Sequence, residues 1–173
     1  MSRNLRIISL LLMVSIAISL FCGCNLLSRE ETLKEYSSNG VKITLPDNFE
    51  QKSEEQFNCY FEGRRAIVSG NKVSYAEFES LGFEDVSNSS VLKMTEFMVS
   101  FAGKSGAVKS SADERYSYFT YEETVDGNNF YYTTFLFKSE KNVWMFDMFC
   151  FKADKDKYAE KFISWADSIV IEE

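Results

Sequence analysis

The segment Val143 to Phe151 constrains this chain more than any other stretch. Read with period two, Trp144, Phe146, Met148 and Cys150 point one way, while Val143, Met145, Phe149 and Phe151 point the other, with Asp147 among them. A strand that is apolar on both sides must be covered on both sides, so it belongs in the middle of a sheet with packed layers above and below. Two more strands lead into it. Glu114–Glu122 and Asn129–Lys138 flank Asp126-Gly127, a dipeptide that favours the positive φ angles of a tight hairpin. Glu140-Lys141-Asn142 makes the next short connection. The three form an antiparallel meander.

The rest of the chain supplies the layers. Val41-Lys42-Ile43-Thr44-Leu45 alternates as a strand and stops at Pro46-Asp47-Asn48. Further strands are expected over Gln56–Phe61 and Arg65–Ser69. Ser74 is placed to cap a short helix carrying Tyr75, Phe78 and Leu81, with Gly82 at its C-terminal end. A longer helix begins after Ser89 or Ser90, with Val91, Met94, Met98 and Phe101 on one face. A last helix runs from about Asp154 to Asp167 with the stripe Tyr158, Phe162, Trp165, Ala166 and Ile169. Ile169-Val170-Ile171 reads as a short closing strand. This order, with helices segregated from antiparallel strands, is α+β: a mostly antiparallel sheet with helices packed on its faces.

The opening Val41-Lys42-Ile43-Thr44-Leu45-Pro46-Asp47-Asn48-Phe49 and the meander, helix and strand from Asn129 to Ile171 resemble the PsbP-like fold. That fold is known from an extrinsic subunit of the photosynthetic oxygen-evolving complex, from a Ran-binding nuclear import factor and from uncharacterised bacterial lipoproteins. The resemblance covers the order of elements over most of residues 40–172. It implies a fold and protein-binding relatives, and it carries no catalytic site.

The N-terminus reads as an address. Arg3 and Arg6 precede a run of 15 residues, Ile7 to Phe21, interrupted by Ser9, Ser15 and Ser19. A membrane span needs roughly 20 apolar residues, so the run suits a signal peptide better. Gly23 stands directly before Cys24, and the site resembles the lipobox of bacterial lipoproteins, although Phe21 and Cys22 depart from its usual residues. The resemblance implies cleavage before Cys24, a lipid on its sulfur, and a protein on the extracytoplasmic face of the cell membrane. The expected organisation is a signal peptide over 1–23, a lipidated tether over 24–39 and one α+β domain over 40–173. Removing the signal leaves 150 residues with 17 basic and 26 acidic side chains, a formal charge of −9. Such a surface repels nucleic acid and gives no grip on anionic headgroups. Acyl chains such as palmitate are then the expected hold on the membrane.

Chemistry is limited by what is missing. The chain has no histidine, which removes Ser-His-Asp and Cys-His activation and histidine zinc sites. It has no phosphate-binding glycine fingerprint. Neither Asp126-Gly127-Asn128-Asn129 nor Asp154-Lys155-Asp156 has the spacing of a calcium loop. No enzyme activity, cofactor or metal is expected. Beyond the signal, Cys59 and Cys150 are the remaining cysteines, either a disulfide or two buried thiols. Tyr116, Tyr118, Tyr121, Tyr131 and Tyr132 either pack under the helices or offer a surface for a sugar or a partner protein. The expected function is a non-catalytic, membrane-anchored protein-binding or assembly module. The alternatives are a small-ligand or carbohydrate binder using those tyrosines, and a hydrolase built on carboxylates.

Overall fold

A computed structural model of the protein describes residues 31–172. Cys24 and the apolar run before it lie outside the described residues. The elements are β1 (Leu33–Ser38), β2 (Val41–Pro46), β3 (Glu50–Lys52), β4 (Cys59–Glu62), β5 (Ala66–Ser74), α1 (Tyr75–Glu79), α2 (Val91–Phe101), β6 (Lys109–Ser110), β7 (Tyr116–Val125), β8 (Asn128–Lys138), β9 (Asn142–Phe151), α3 (Lys155–Asp167) and β10 (Val170–Ile171). They form a seven-stranded sheet in the order β3-β4-β5-β9-β8-β7-β6 and a three-stranded sheet β1-β2-β10. Every pairing is antiparallel. The class is α+β, as the order of elements implies.

Strand β9 is central, between β5 and β8. Its Trp144, Phe146, Met148 and Cys150 enter a core shared with α3 and the small sheet, where Phe162, Trp165, Ile43 and Leu45 are buried. Its Val143 and Met145 enter a second core with Phe78 of α1 and Met94 and Met98 of α2. Two cores on opposite faces are what a doubly apolar strand requires.

Local chemistry sets the element ends. Ser74 and Glu77 form a reciprocal capping box at α1, and the Ser90 hydroxyl accepts from the Lys93 amide at the start of α2. Asp126 and Gly127 adopt φ +48 and +79, the hairpin turn that joins β7 to β8. Thr95 and Val99 join the buried face of α2, and Phe101 stays exposed, stacked on Phe97.

Two expectations are corrected, and one open alternative is decided. The first concerns the tether. Residues 33–38 form β1, paired along its length with β2, so the domain starts before residue 40. Tyr36 is buried, and its hydroxyl donates to the carbonyls of Pro46 and Phe49. The strand hides in the sequence because Tyr36 is its one buried side chain. Secondly, β4 begins at Cys59 rather than Gln56, and the short β3, exposed throughout, was not anticipated. The open alternative is the cysteine pair, expected either as a disulfide or as two buried thiols. Cys59 and Cys150 are free and buried. Cys59 lies opposite Gly70 and Cys150 opposite Ala66 on β5. That offset is roughly 13 Å along the strand and about 10 Å across two strand spacings, far beyond the ~7 Å a disulfide allows. Burial pushes both thiols up to about 12, with Asp154 adding to the effect at Cys150.

Candidate binding face

The face of the large sheet turned away from α3 divides into two halves. One half lies beneath α1 and α2. The other is a cross-strand ladder of one isoleucine and three aromatic rings. Ile67, Phe149, Tyr132 and Tyr121 stand directly opposite one another on β5, β9, β8 and β7. Tyr132 stacks on Phe149 with ring centroids 4.9 Å apart and on Tyr121 at 4.9 Å. Beside this ladder Phe130 stacks on Phe151 at 5.0 Å, and Phe57 on Tyr60 at 5.4 Å. Cross-strand aromatic pairs of this kind stabilise a sheet face and also make an adhesive surface.

A polar seam borders the ladder. Ser69, Asp147 and Thr134 stand opposite one another on β5, β9 and β8. Thr134 Oγ1 donates to Asp147 Oδ1 at 2.5 Å and shares a hydrogen bond with the Tyr121 hydroxyl. The Asp147 side chain is half-buried between these strands. Burial, then the nearby Glu123 carboxylate, raises its pKa, and the Thr134 bond and Lys104 only partly oppose this. Lys104 Nζ sits 4.4 Å above the Tyr121 ring and pairs with Glu123 at 3.1 Å. Tyr60 presents a buried hydroxyl with no hydrogen-bond partner. The direct neighbours of Asp147 across the strands are hydroxyls, and the nearby Glu123 carboxylate is itself ion-paired with Lys104.

The five tyrosines singled out in the sequence do not form one site. Tyr121 and Tyr132 belong to the ladder. Tyr116, Tyr118 and Tyr131 lie on the opposite face, against the α3 core. There the Tyr116 hydroxyl donates to Asp167 Oδ1 at 2.7 Å, and burial and that bond raise its pKa. Tyr131 stacks on Phe162, and Tyr118 packs at a tilt against Phe135. Strand alternation separates them: β7 sends positions 116 and 118 to one side and 121 to the other. The residues that sequence reasoning passed over, Tyr60, Ile67 and Phe149, come from three further positions whose juxtaposition depends on strand order. The one available signal was that Phe149 and Phe151 sit on a strand apolar on both faces.

Elsewhere, a cleft of about 900 Å³ opens between Ser90, Ser110, Arg115, Lys138 and Ser139. Its cations are engaged in structure. Lys138 donates to the carbonyls of Ser87 and Ser89, and Arg115 to those of Asp167 and Ile169. Among the described residues no cluster of three or more metal-ligating side chains occurs, and no helix is long and apolar enough to cross a membrane.

The sequence matches no protein-family model and no curated protein. Solved structures do share its fold. A protein from Bacteroides thetaiotaomicron VPI-5482 superposes with a TM-score of 0.55 at 10% identity over 81% of this chain. This chain spans 48% of that protein's length. A point mutant of Mog1 gives a TM-score of 0.52 at 7% identity, covering 82% of this chain and 97% of Mog1. PsbP (CyanoP) from Synechocystis sp. PCC 6803 gives 0.43 at 10% identity, covering 87% of this chain and 98% of that protein. The fold is PsbP-like, in agreement with the resemblance carried by Val41–Phe49 and Asn129–Ile171.

Proposed function

We propose that the chain is a lipoprotein, held on the extracytoplasmic face of a cell membrane by a lipid on Cys24, and that its domain binds a protein partner without catalysing a reaction. The observation that carries the binding part is the aromatic cluster on the face turned away from α3, in which Tyr60, Ile67, Tyr132 and Phe149 are buried and Phe57, Tyr121, Val125 and Phe151 form a partly exposed rim. Tyr and Phe are the residue types that concentrate at protein contacts, where large rings bury area at little entropic cost. The anchoring part rests on Arg3, Arg6, the run Ile7–Phe21 and the Gly23-Cys24 junction. A carbohydrate site built from the five tyrosines loses its geometric support, since they divide between two faces.

Retention of partners from solubilised membranes tests the proposal. The bait is the chain from Cys24, beside a double variant, Phe57→Glu and Val125→Glu, that places charge on the rim of the aromatic face. A protein retained by the first and lost by the second, with unchanged circular dichroism, is the expected result. Equal retention by both would remove the aromatic face from the proposal.

A further inference from the structure

The large sheet ends in β3, whose three residues, Glu50, Gln51 and Lys52, are all exposed. The ladder fixes which way its backbone points. At the β4–β5 hairpin the Gly63 amide donates to the Ala66 carbonyl at 2.9 Å. Hydrogen-bonded pairs recur at every second residue of an antiparallel ladder. Phe61 therefore bonds to β5, while Glu62 and Tyr60 turn their amide and carbonyl groups to β3, opposite Glu50 and Lys52. Gln51 is left with its N–H and C=O directed away from β4, on the free edge. Such an edge is a template for another strand. Its side chains are unbalanced as well. Glu50 stands directly opposite Glu62, a like-charge pair that weakens a ladder. Lys52 Nζ binds Glu62 Oε2 at 2.7 Å, and among the described residues Glu50 has no ion pair.

We propose that β3 pairs antiparallel with β3 of a second copy of this chain, around a two-fold axis through Gln51, so that two large sheets join edge to edge. The two Gln51 residues then face each other and exchange a pair of backbone hydrogen bonds. Glu50 meets the partner's Lys52, and Lys52 meets the partner's Glu50, in the closely spaced non-hydrogen-bonded pairs where opposite charges attract. Charge also selects this register. A slide of two residues keeps the backbone groups in phase, but one direction sets Glu50 against Glu50 and the other sets Lys52 against Lys52. The surface is thus self-complementary, as a two-fold contact between identical chains requires. It supplies Glu50 with the cation that its own chain does not. A three-residue edge buries far less than the roughly 1,200 Å² of a lasting interface. The pairs therefore form and part, and crowding of copies favours them by mass action. The pairing depends neither on the anchor nor on the aromatic cluster.

Disulfide trapping tests the register. The background is the full chain with Cys22→Ala and Cys24→Ala, in a mild detergent, so that the buried Cys59 and Cys150 are its only other thiols. Gln51→Cys places two thiols across the axis, with Cα atoms about 5.5 Å apart, inside the range a disulfide spans. Ser53→Cys is the control, since the same register separates its two copies by about 14 Å. Under a copper-phenanthroline oxidant, the covalent dimer should form several-fold faster at position 51 than at position 53, with the link mapped by mass spectrometry. In the Gln51→Cys chain, Glu50→Lys or Lys52→Glu alone should slow it several-fold. The two together restore opposite charges across the axis and should restore the rate. Circular dichroism checks that each variant is folded. Equal rates at 51 and 53 would mean chance collision and overturn the pairing. A double exchange that stays as slow as the single ones would overturn the register and with it the proposal.

Discussion

Asp147 shows how one residue can set a pH dependence. Its folded pKa lies above the ordinary carboxyl value, chiefly through burial. Between the two values the folded protein therefore holds a proton that the unfolded chain has released. Stability is full below the ordinary value of about 4, falls as pH rises towards the folded pKa, and is level above it. Asp147→Asn removes this fall. The variant should melt higher than the wild type at pH 7, with the gap closing as the pH drops towards 4, as followed by thermal denaturation across that range. A gap independent of pH would contradict the assignment. Gly70 is constrained by space. A Cβ there would stand 2.5 Å from Cys59 Sγ and 2.6 Å from the Phe146 ring. Gly70→Ala should cost about 1–3 kcal/mol by overpacking, measured by urea denaturation. The two thiols, buried and held up to about 12, should resist alkylation at pH 8 in the folded protein and react fully once it is unfolded. The identity of these residues was legible in the sequence, but their partners were not. Cys59 and Cys150 read as a candidate pair because both sit in strands among aromatics, and only the register on β5 separates them.

At the scale of elements, the sequence carried most where periodicity and capping agreed. The meander, the Asp126-Gly127 turn and α3 were all legible, since each is long and buries a full stripe or face. The helix caps were too. Ser90→Ala should cost about 1 kcal/mol, read from the same denaturation curves, because the Lys93 amide loses its acceptor. What escaped was β1, an edge strand whose exposure leaves almost no apolar pattern. A signal for it did exist: Asn39-Gly40, with φ +47 and +84, is the same hairpin chemistry as Asp126-Gly127. Gly40 also accepts the Glu172 amide, and a Cβ there would stand 2.6 Å from the Glu172 carbonyl oxygen. The small sheet thus ties the chain's last strand to its first hairpin. Deleting residues 33–38 should destabilise the whole domain and not merely shorten a linker, since Tyr36 and its two carbonyl bonds belong to the main core.

For the whole molecule, the fold class was readable and the aromatic half-face was not, for one physical reason. Fold class follows from local patterns taken in order. A face is made by lateral neighbours, and Ile67, Phe149, Tyr132 and Tyr121 meet only because β5, β9, β8 and β7 lie side by side in that order. The five tyrosines grouped by chain proximity were divided by the same rule. The account joins a PsbP-like domain, through β1 and its preceding residues, to an anchor at Cys24, and its central claim is that the domain works from a membrane surface. Intact mass spectrometry of the protein extracted from its native membrane tests this most directly. The account predicts a chain that begins at Cys24 and carries acyl chains attached to its sulfur. A mature protein that begins elsewhere, or that carries an unmodified Cys24, would contradict it.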